Sequence, residues 1–474
     1  MNRSEFLKAS TAGLTGLFIS EWVSKAITSD NAALLTSKMF GKNFKWGVTT
    51  SAFQSEGAWN ADGKGESIWD RFTHNKHHVL DHSNADVTCD FYHLYKEDLR
   101  VLKSMNFKNF RFSIAWSRIF PEGIGKINEQ GVAFYNNVID ECLRLDITPW
   151  MTLYHWDLPQ ALEDKGGWAN REIINWFTEF VDLCTKRFGD RVKNWIIINE
   201  PAAVTTLGYL TGLHAPGHKS IGKFLASVHH VMMCQAEGAR IVRKNVVNAR
   251  IGTAQSCSYV ETYKNNPANI KAVKRIDVLL NRLFIEPSLG MGYPTSELHF
   301  LKKIEKYILP GDMEKLKFDF DFIGLQNYFR IIGKRGIIPF IWANNVKPDA
   351  KTTEFTDMGW EVYPEGIYQI IKQFSKYPIK EIIITENGAS FPDVIQENKI
   401  NDEKRLKFYQ DYLGYILKAK NEGVNIGGYF LWSLVDNFEW TFGYKPRFGI
   451  IYNDFSTQQR TVKATGYWFQ DFLR

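Results

Sequence analysis

The stretch IIINEP, at residues 196–201, is a β-branched apolar run that ends in the carboxylate of Glu200. A second stretch, IIITENG at residues 382–388, repeats the pattern and ends its apolar run at Glu386. Short apolar runs followed by polar or turn residues are typical of buried strands. Pro201 favours extended backbone at the residue before it, which fits the end of a strand. Strand packing does not require a charge there, so both glutamates are candidates for chemistry.

The same alternation continues along the chain. Predicted strands cover residues 45–49, 109–113, 148–153, 195–199, 250–255, 322–327, 381–385 and 426–431. Segments with helical periodicity lie between them, at residues 90–105, 129–145, 171–188, 221–244, 269–284, 364–374 and 402–422. Eight strands that alternate with helices predict an α/β fold, a (β/α)8 TIM barrel that forms a single domain with long βα loops.

A doubly wound open sheet is the alternative architecture, although no glycine-rich phosphate loop follows any predicted strand. Residues 331–363 are the longest irregular stretch, and we expect them at the rim of a binding cleft.

The composition is that of a globular protein. The chain has 474 residues, 44% of them apolar and 23% charged, enough for one large barrel or two or three smaller domains. The net charge of +6 comes from scattered basic residues, which argues against nucleic-acid binding. The five cysteines are widely spaced and include no Cys-x-x-Cys pair, which argues against a disulfide framework and a zinc site.

The N-terminus differs from the rest of the chain. Residues 1–26 are a candidate export signal, residues 27–39 a leader or linker, and residues 40–474 the predicted barrel domain. Arg3 and the FLK at residues 6–8 resemble a twin-arginine export motif, but Ser4 stands where the second arginine would be. We expect export to the periplasm by this or the general secretory route, and a cytoplasmic protein if the leader is not functional. The apolar residues 9–20 are too few to span a membrane.

Polar and aromatic side chains follow most of the predicted strands. In a (β/α)8 barrel these positions face the active site. They carry, in chain order, Gln54, Arg111, Trp116, His155, Trp156, Asp157, Asn199, Glu200, Gln326, Asn327, Tyr328, Glu386, Asn387, Trp432, Glu439 and Trp440. Such a set is suited to binding several hydroxyls and to stacking one sugar ring on an indole.

The two glutamates match the requirements of glycosidic bond cleavage, which needs an acid and a nucleophile. We assign Glu200 as the general acid/base and Glu386 as the nucleophile. In a retaining enzyme the two carboxyl groups lie about 5–5.5 Å apart, and repulsion between their charges keeps one of them protonated. We expect Arg111 to hold Glu386 ionised, Tyr328 to donate a hydrogen bond to it, and Asn199 to contact the sugar 2-hydroxyl.

From about Phe44 to about Trp468 the chain resembles glycoside hydrolase family 1, the β-glucosidase family. The resemblance rests on motifs that occur in the same order as in the family. They are FKWG at residues 44–47, RFSIAW at 111–116, LYHWDLPQ at 153–160, NEP at 199–201, TENG at 385–388, WSL at 432–434, DNFEW at 436–440 and RFG at 447–449.

The resemblance implies a role for each matching residue. Glu200 matches the family's acid/base and Glu386 its nucleophile. The positions that match its sugar-binding and leaving-group residues are Gln54, His155, Asn199, Tyr328, Trp360, Trp432, Glu439, Trp440 and Phe448. Arg111, Trp156 and Gln326 are supporting residues, and Gln326 stands where many members have asparagine. The family implies no metal and no organic cofactor.

The expected substrate is a terminal, non-reducing β-D-glucosyl residue, with β-galactosides or β-fucosides as side substrates. The carboxylate of Glu439 accepts hydrogen bonds from sugar hydroxyls and repels a 6-phosphate, which disfavours a 6-phospho-β-glycosidase. A non-catalytic β-glucoside-binding protein is the other alternative, against which the intact glutamate pair argues. A barrel enzyme with a Schiff-base lysine or a metal is also disfavoured, because no predicted strand ends in lysine or in a metal-ligand cluster.

Overall fold

The structure, a computed structural model, describes residues 35–397 and 399–474. Eight parallel strands close into a barrel in which every strand pairs with its neighbours along the chain, and the last pairs with the first. These strands are β1 (Lys45–Thr49), β2 (Asn109–Ser113), β3 (Thr148–Tyr154), β4 (Asn194–Asn199), β5 (Arg250–Ser256), β6 (Phe322–Gln326), β7 (Ile382–Asn387) and β8 (Ile426–Trp432). The predicted (β/α)8 barrel is therefore confirmed, and the open-sheet alternative is wrong.

Helices surround the barrel. The longer ones are Phe91–Ser104, Glu129–Arg144, Ile173–Phe188, Ile221–Asn245, Pro267–Asp277, Glu365–Phe374, Glu403–Asn421 and Ala464–Phe472. Shorter α-helices are Ala52–Ser55, Ile68–His74, Trp116–Ile119, Gln160–Glu163, Pro201–Thr205, Leu283–Ser288 and Asp312–Leu316. The 3-10 turns are Ser37–Phe40, Ala61–Gly63, Gly167–Ala169, His299–Tyr307 and Trp440–Phe442, and the π-helical segments are Thr206–Thr211 and Val278–Arg282.

The interior of the barrel is filled by side chains from six of its strands. Their buried cluster consists of Trp150, Ile196, Ala254, Phe322, Ile383 and Phe430. The Trp150 ring lies 5.5 Å from that of Phe322 and 4.9 Å from that of Phe430, in both cases edge to face. Gly47 makes room for this layer, since a Cβ there would lie 2.3 Å from the Phe430 ring. The packed layer leaves only the barrel ends open for chemistry.

One predicted loop contains strands. Within residues 331–363, Ile331–Arg335 and Ala343–Asn345 join Val260–Thr262 in a three-stranded sheet. The prediction of an irregular stretch was wrong here because the pairing is long-range, with Val260 opposite Ile331. Two further small sheets pair Ile395–Gln396 with Lys399–Ile400, and Ile451–Asn453 with Arg460–Val462.

The candidate export signal at residues 1–26, and most of the leader after it, lie outside the described residues. Within residues 35–397 and 399–474, no helix combines the length and the apolar character that a membrane crossing requires.

Candidate active site

A cavity of about 540 Å³ opens at the carboxyl ends of the barrel strands. Strand geometry puts the predicted residues there, because Glu200 directly follows β4, Glu386 lies near the end of β7 and Trp432 ends β8. The cavity is lined by the predicted side chains Gln54, His155, Trp156, Glu200, Tyr328, Trp360, Glu386, Trp432, Glu439, Trp440 and Phe448. Three further predicted residues, Arg111, Asn199 and Gln326, are fully buried and lie outside this lining.

Glu386 is held by a cation and a phenol. Arg111 Nη1 lies 2.5 Å from Glu386 Oε1, and the Tyr328 hydroxyl donates a hydrogen bond of 2.8 Å to Glu386 Oε2. Burial raises the pKa of Glu386, and the charge of Arg111 and the Tyr328 hydrogen bond oppose that rise. Both contacts favour the charged form of the carboxyl, as expected for a nucleophile.

Glu200 has no such ion pair within the described part of the chain. Burial first, and the nearby charge of Glu386 second, raise the pKa of Glu200 to about 8. A hydrogen bond from Ser256, at the end of β5, acts in the opposite direction. Glu200 is therefore mostly protonated at neutral pH, which suits a general acid. Glu200 and Glu386 line the same cavity. The main neighbouring charge is the anion Glu386 for Glu200 and the cation Arg111 for Glu386.

The backbone at Glu200 differs from the prediction. Extended geometry before Pro201 was expected, but Glu200 adopts φ 48° and ψ 64°, the left-handed region. The residue is the junction between β4 and the helix Pro201–Thr205. Its N–H donates to the Ala254 carbonyl at 2.9 Å, and its carbonyl accepts from the Val204 N–H at 3.1 Å. These two hydrogen bonds offset a backbone cost of about 1–2 kcal/mol.

Asn199 connects the supporting residues behind the cavity. Its Oδ1 accepts hydrogen bonds from Arg111 Nη2 at 2.6 Å and from Gln326 Nε2 at 2.7 Å. Its Nδ2 lies 3.1 Å from His155 Nε2. Gln326 thus contacts Asn199 at the end of β4. The Oε1 atom of Gln326 has no hydrogen-bond partner among the described residues. The contact of Asn199 with a sugar 2-hydroxyl stays a prediction.

Polar groups on the loop after β8 meet the helix after β1. Gln54 Nε2 donates to Glu439 Oε2 at 3.3 Å and to the Phe438 carbonyl at 2.9 Å. Burial raises the pKa of Glu439 to about 8, helped by the charge of Glu386 and opposed by Gln54 and Trp432. Burial also lowers the pKa of His155, which is therefore neutral.

Two groups of aromatic rings line the cavity. In one group the Trp440 ring lies 4.4 Å from that of Trp156. In the other group the Trp360 ring lies 5.3 Å from that of Tyr328 and 6.1 Å from that of Phe448. Flat apolar surfaces of this kind suit the C–H faces of a sugar ring.

Some strand-end side chains have structural contacts instead. The Trp116 indole donates to the Gly123 carbonyl at 2.8 Å and stacks on Phe180 with ring centroids 4.8 Å apart. The Asn387 side chain donates to the Asn327 carbonyl at 2.6 Å. These residues hold the strand ends in place.

Sequence reasoning missed several lining residues. Ser256 ends β5, the one strand for which no site residue was predicted. Ala203, Leu207, Leu213, His214, Phe329, Met358 and Phe442 also line the cavity. A signal existed for two of them, because Ala203 and Leu207 follow Glu200 at helical spacing. Apart from Ser256 and Phe442, the others lie on loops, whose path no periodicity reveals.

Comparisons with known proteins identify the family of the chain. Residues 36–474 match the model of glycosyl hydrolase family 1. The sequence is 42% identical over 440 residues to beta-glucosidase A of Thermotoga maritima, covering 92% of this chain and 98% of that protein. It is 41% identical over 445 residues to beta-glucosidase A of Acetivibrio thermocellus, with the same coverages of 92% and 98%.

A solved structure supports the same relationship. The beta-glucosidase from Thermotoga maritima in complex with deoxynojirimycin is similar with a TM-score of 0.88 at 42% sequence identity. The similarity covers 91% of this chain and 98% of that one. The family predicted from the motifs is confirmed, and the chain belongs to glycosyl hydrolase family 1.

Proposed function

We propose that the protein is a retaining β-glucosidase that releases terminal, non-reducing β-D-glucosyl residues through a covalent glycosyl-enzyme. One observation carries the proposal: Glu386 and Glu200 are buried carboxyls in one cavity. Arg111 pairs with Glu386, and no cation among the described residues pairs with Glu200. That asymmetry is what a nucleophile and a general acid require. Membership of glycosyl hydrolase family 1 supports it.

In the first step a Glu386 oxygen attacks the anomeric carbon. The bond from that carbon to the leaving oxygen breaks, and the Glu200 carboxyl donates its proton to this oxygen. Glu386 becomes a neutral ester. Because the charge of Glu386 is one cause of the high pKa of Glu200, that pKa falls in the intermediate.

In the second step the roles reverse. Glu200, now a carboxylate, removes a proton from a water molecule, whose oxygen attacks the anomeric carbon. The ester bond to Glu386 breaks, glucose leaves with its original β configuration, and Glu200 is protonated again. Arg111 and Tyr328 receive the restored Glu386 carboxylate, so they stabilise the leaving group of this step.

The deep end of the cavity suits a neutral hexose. The sugar hydroxyls form hydrogen bonds, in this proposal, with Gln54, His155, Asn199 and Glu439. The indole of Trp432 lies under the sugar ring. The described part of the chain contributes no lysine or arginine to the lining, so a sugar 6-phosphate has no cation to pair with. The 6-phospho-β-glycosidase alternative is therefore not favoured.

The product configuration tests the mechanism. Hydrolysis of an aryl β-glucoside, followed by proton NMR at early times, should show β-glucose before mutarotation. Initial α-glucose would contradict the covalent route. Binding of the glucoside without any cleavage would instead favour the non-catalytic alternative.

We also propose that residues 1–26 direct export. The motif around Arg3 and the small residues Ser24 and Ala26 support this role. Expression in a Gram-negative host, with cell fractionation and N-terminal sequencing, should find a shortened protein in the periplasm. A full-length chain confined to the cytoplasm would contradict the proposal.

A further inference from the structure

A hairpin outside the barrel has an apolar tip. Its strands, Ile331–Arg335 and Ala343–Asn345, pair antiparallel, and the residues between them read GIIPFIW. We call residues 336–342 the apolar tip. Its large side chains are open to solvent, with exposed fractions of 82% for Ile337, 47% for Ile338, 52% for Phe340 and 56% for Trp342.

Such a concentration of exposed apolar side chains is unusual for this chain. Elsewhere in residues 35–397 and 399–474, exposed large apolar side chains occur singly along the sequence or as the pair Val394 and Ile395. Single exposed apolar residues are normal on a protein surface and need no explanation. A group of them marks a place that another molecule or a membrane covers.

The apolar tip is held in place by hydrogen bonds to its backbone. The Trp342 N–H donates to the Ile338 carbonyl at 2.8 Å, which closes the tip. The guanidinium of Arg275 donates to the Ile341 carbonyl at 2.6 Å and to the Trp342 carbonyl at 2.9 Å. Arg275 belongs to the helix Pro267–Asp277, so these hydrogen bonds fix the tip on the body of the protein.

Basic residues surround the apolar tip. The Phe300 ring lies 5.9 Å from that of Phe340, which joins the tip to the turn His299–Tyr307. The hairpin and the segments that contact it cover residues 263–277, 299–307 and 331–347. They contain ten lysines and arginines but only two acidic residues. The basic residues are Lys264, Lys271, Lys274, Arg275, Lys302, Lys303, Lys306, Lys334, Arg335 and Lys347, and the acidic ones are Asp277 and Glu305.

Nearby carboxylates do not neutralise these cations. Within the part of the chain that the structure describes, none of the ten forms an ion pair. Asp277 accepts hydrogen bonds instead from the side-chain amides of Asn281 and Gln373, both at 2.7 Å. Burial first, and the charge of Arg335 second, lower the pKa of Arg275. The surface around the apolar tip therefore carries a net positive charge.

An anionic lipid surface matches both the apolar tip and its basic surroundings. Tryptophan rings suit the boundary between lipid headgroups and acyl chains, and isoleucine and phenylalanine side chains suit the apolar layer below it. Lysines and arginines beside such a tip are attracted by the lipid phosphates. A second copy of the chain matches less well, because packing tip against tip would bring like charges together.

We propose that the apolar tip inserts into the surface of an anionic phospholipid bilayer, while the surrounding lysines and arginines lie against the lipid phosphates. This contact attaches the protein to the membrane surface and requires no spanning helix. It is independent of the proposed glucosidase activity.

Vesicle sedimentation tests the attachment. The full-length protein is mixed with vesicles of phosphatidylcholine alone, or of phosphatidylcholine and phosphatidylglycerol in equal parts, and the bound fraction is measured after centrifugation. At low salt we expect binding to the anionic vesicles to be at least about tenfold tighter than binding to the neutral ones. Binding should weaken several-fold at about 0.5 M salt, because salt screens the attraction between the charges.

Paired substitutions assign the binding to the apolar tip. Ile337→Ser combined with Trp342→Ser should weaken binding to anionic vesicles by about tenfold or more, because two large apolar side chains no longer enter the lipid. The matched control combines Leu143→Ser with Val247→Ser. These two residues are 44% and 75% exposed and precede β3 and β5, at the opposite end of the barrel. The control should bind like wild-type protein, and thermal unfolding verifies that both variants are folded.

A second pair of variants tests the role of charge. Lys302→Glu combined with Lys303→Glu should weaken binding to anionic vesicles by about tenfold and leave the weak binding to neutral vesicles unchanged. Lys244→Glu combined with Lys376→Glu is the control, since these exposed lysines precede β5 and β7 at the opposite end of the barrel. Charges that far from the lipid are screened, so the control should stay within about twofold of wild-type binding.

Several outcomes would overturn the inference. One is a wild-type protein that does not bind vesicles, or that binds neutral and anionic vesicles equally. Unchanged binding in the Ile337→Ser, Trp342→Ser variant would assign membrane contact to another part of the chain, such as residues 1–34. A wild-type dimer that this variant converts to a monomer would show that a second copy covers the apolar tip.

Discussion

The guanidinium of Arg111 lies 2.5 Å from the carboxylate of Glu386, and both groups are almost fully buried. The same guanidinium donates to Asn199, the last residue of β4. One arginine on β2 therefore holds the nucleophile on β7 and the residue next to the acid on β4. These contacts fix the position of Glu386 relative to the strand end that precedes Glu200.

Removal of this cation should impair the nucleophile. We expect Arg111→Met to lower kcat/KM by about 10²–10³-fold, because Glu386 loses its charge partner in a low-dielectric site. The pKa of Glu386 should rise, so the acid limb of the kcat/KM profile should move to higher pH. Arg187→Met is the control, since Arg187 forms a surface ion pair with Glu129. An unchanged acid limb in a folded Arg111→Met enzyme would contradict this role.

We expect the general acid, Glu200, to lose its proton at an unusually high pH for a carboxyl group. Activity that needs protonated Glu200 should fall as the pH rises through about 8. Since the charge of Glu386 contributes to this pKa, Glu386→Gln should lower it. Carbon-13 NMR of labelled glutamate carboxyls in Glu386→Gln and in wild-type protein measures the difference, with Glu200→Gln used for assignment. An equal or higher pKa in Glu386→Gln would contradict the coupling.

Azide distinguishes the roles of the two glutamates. In Glu386→Ala, azide should displace an activated leaving group directly and form the α-glucosyl azide, because a single inversion occurs. In Glu200→Ala, azide should intercept the glycosyl-enzyme and form the β-glucosyl azide. Hydrolysis without azide should fall by about 10²–10⁴-fold in Glu200→Ala, and more for poor leaving groups. The same azide anomer from both variants would refute the assignment.

Barrel packing can be tested without touching the active site. We expect Gly47→Ala to destabilise the protein by about 1–3 kcal/mol, because the new methyl group overlaps the Phe430 ring. Gly414→Ala is the matched control, since a Cβ at this helical position has no neighbour within 4 Å. That variant should gain about 0.5–1 kcal/mol from helix propensity. Thermal unfolding of both variants measures the difference, and equal midpoints would be evidence against tight packing at Gly47.

Much of the fold follows from local pattern. Strands Lys45–Thr49 and Asn109–Ser113 have the predicted bounds. Five of the other barrel strands differ from prediction by one residue at one end, and Ile382–Asn387 differs by one residue at its start and two at its end. Buried strands need continuous apolar runs, and amphipathic helices need a 3.6-residue period, so both leave a local trace. The strand-end rule also brought Glu200, Glu386 and their neighbours to one cavity.

The sequence by itself therefore determined the barrel and the identity of its two carboxyls, because local periodicity and strand ends encode both. Only the tertiary structure decided the left-handed backbone at Glu200, the sheet that pairs Val260 with Ile331, and the presence of Leu207 and Trp360 in the lining of one cavity. Each of these features depends on residues far apart in the chain. The difference between the electrostatic surroundings of Glu200 and those of Glu386 does so as well. The ion pair of Glu386 with Arg111 and the burial of both glutamates exist only after the barrel has closed.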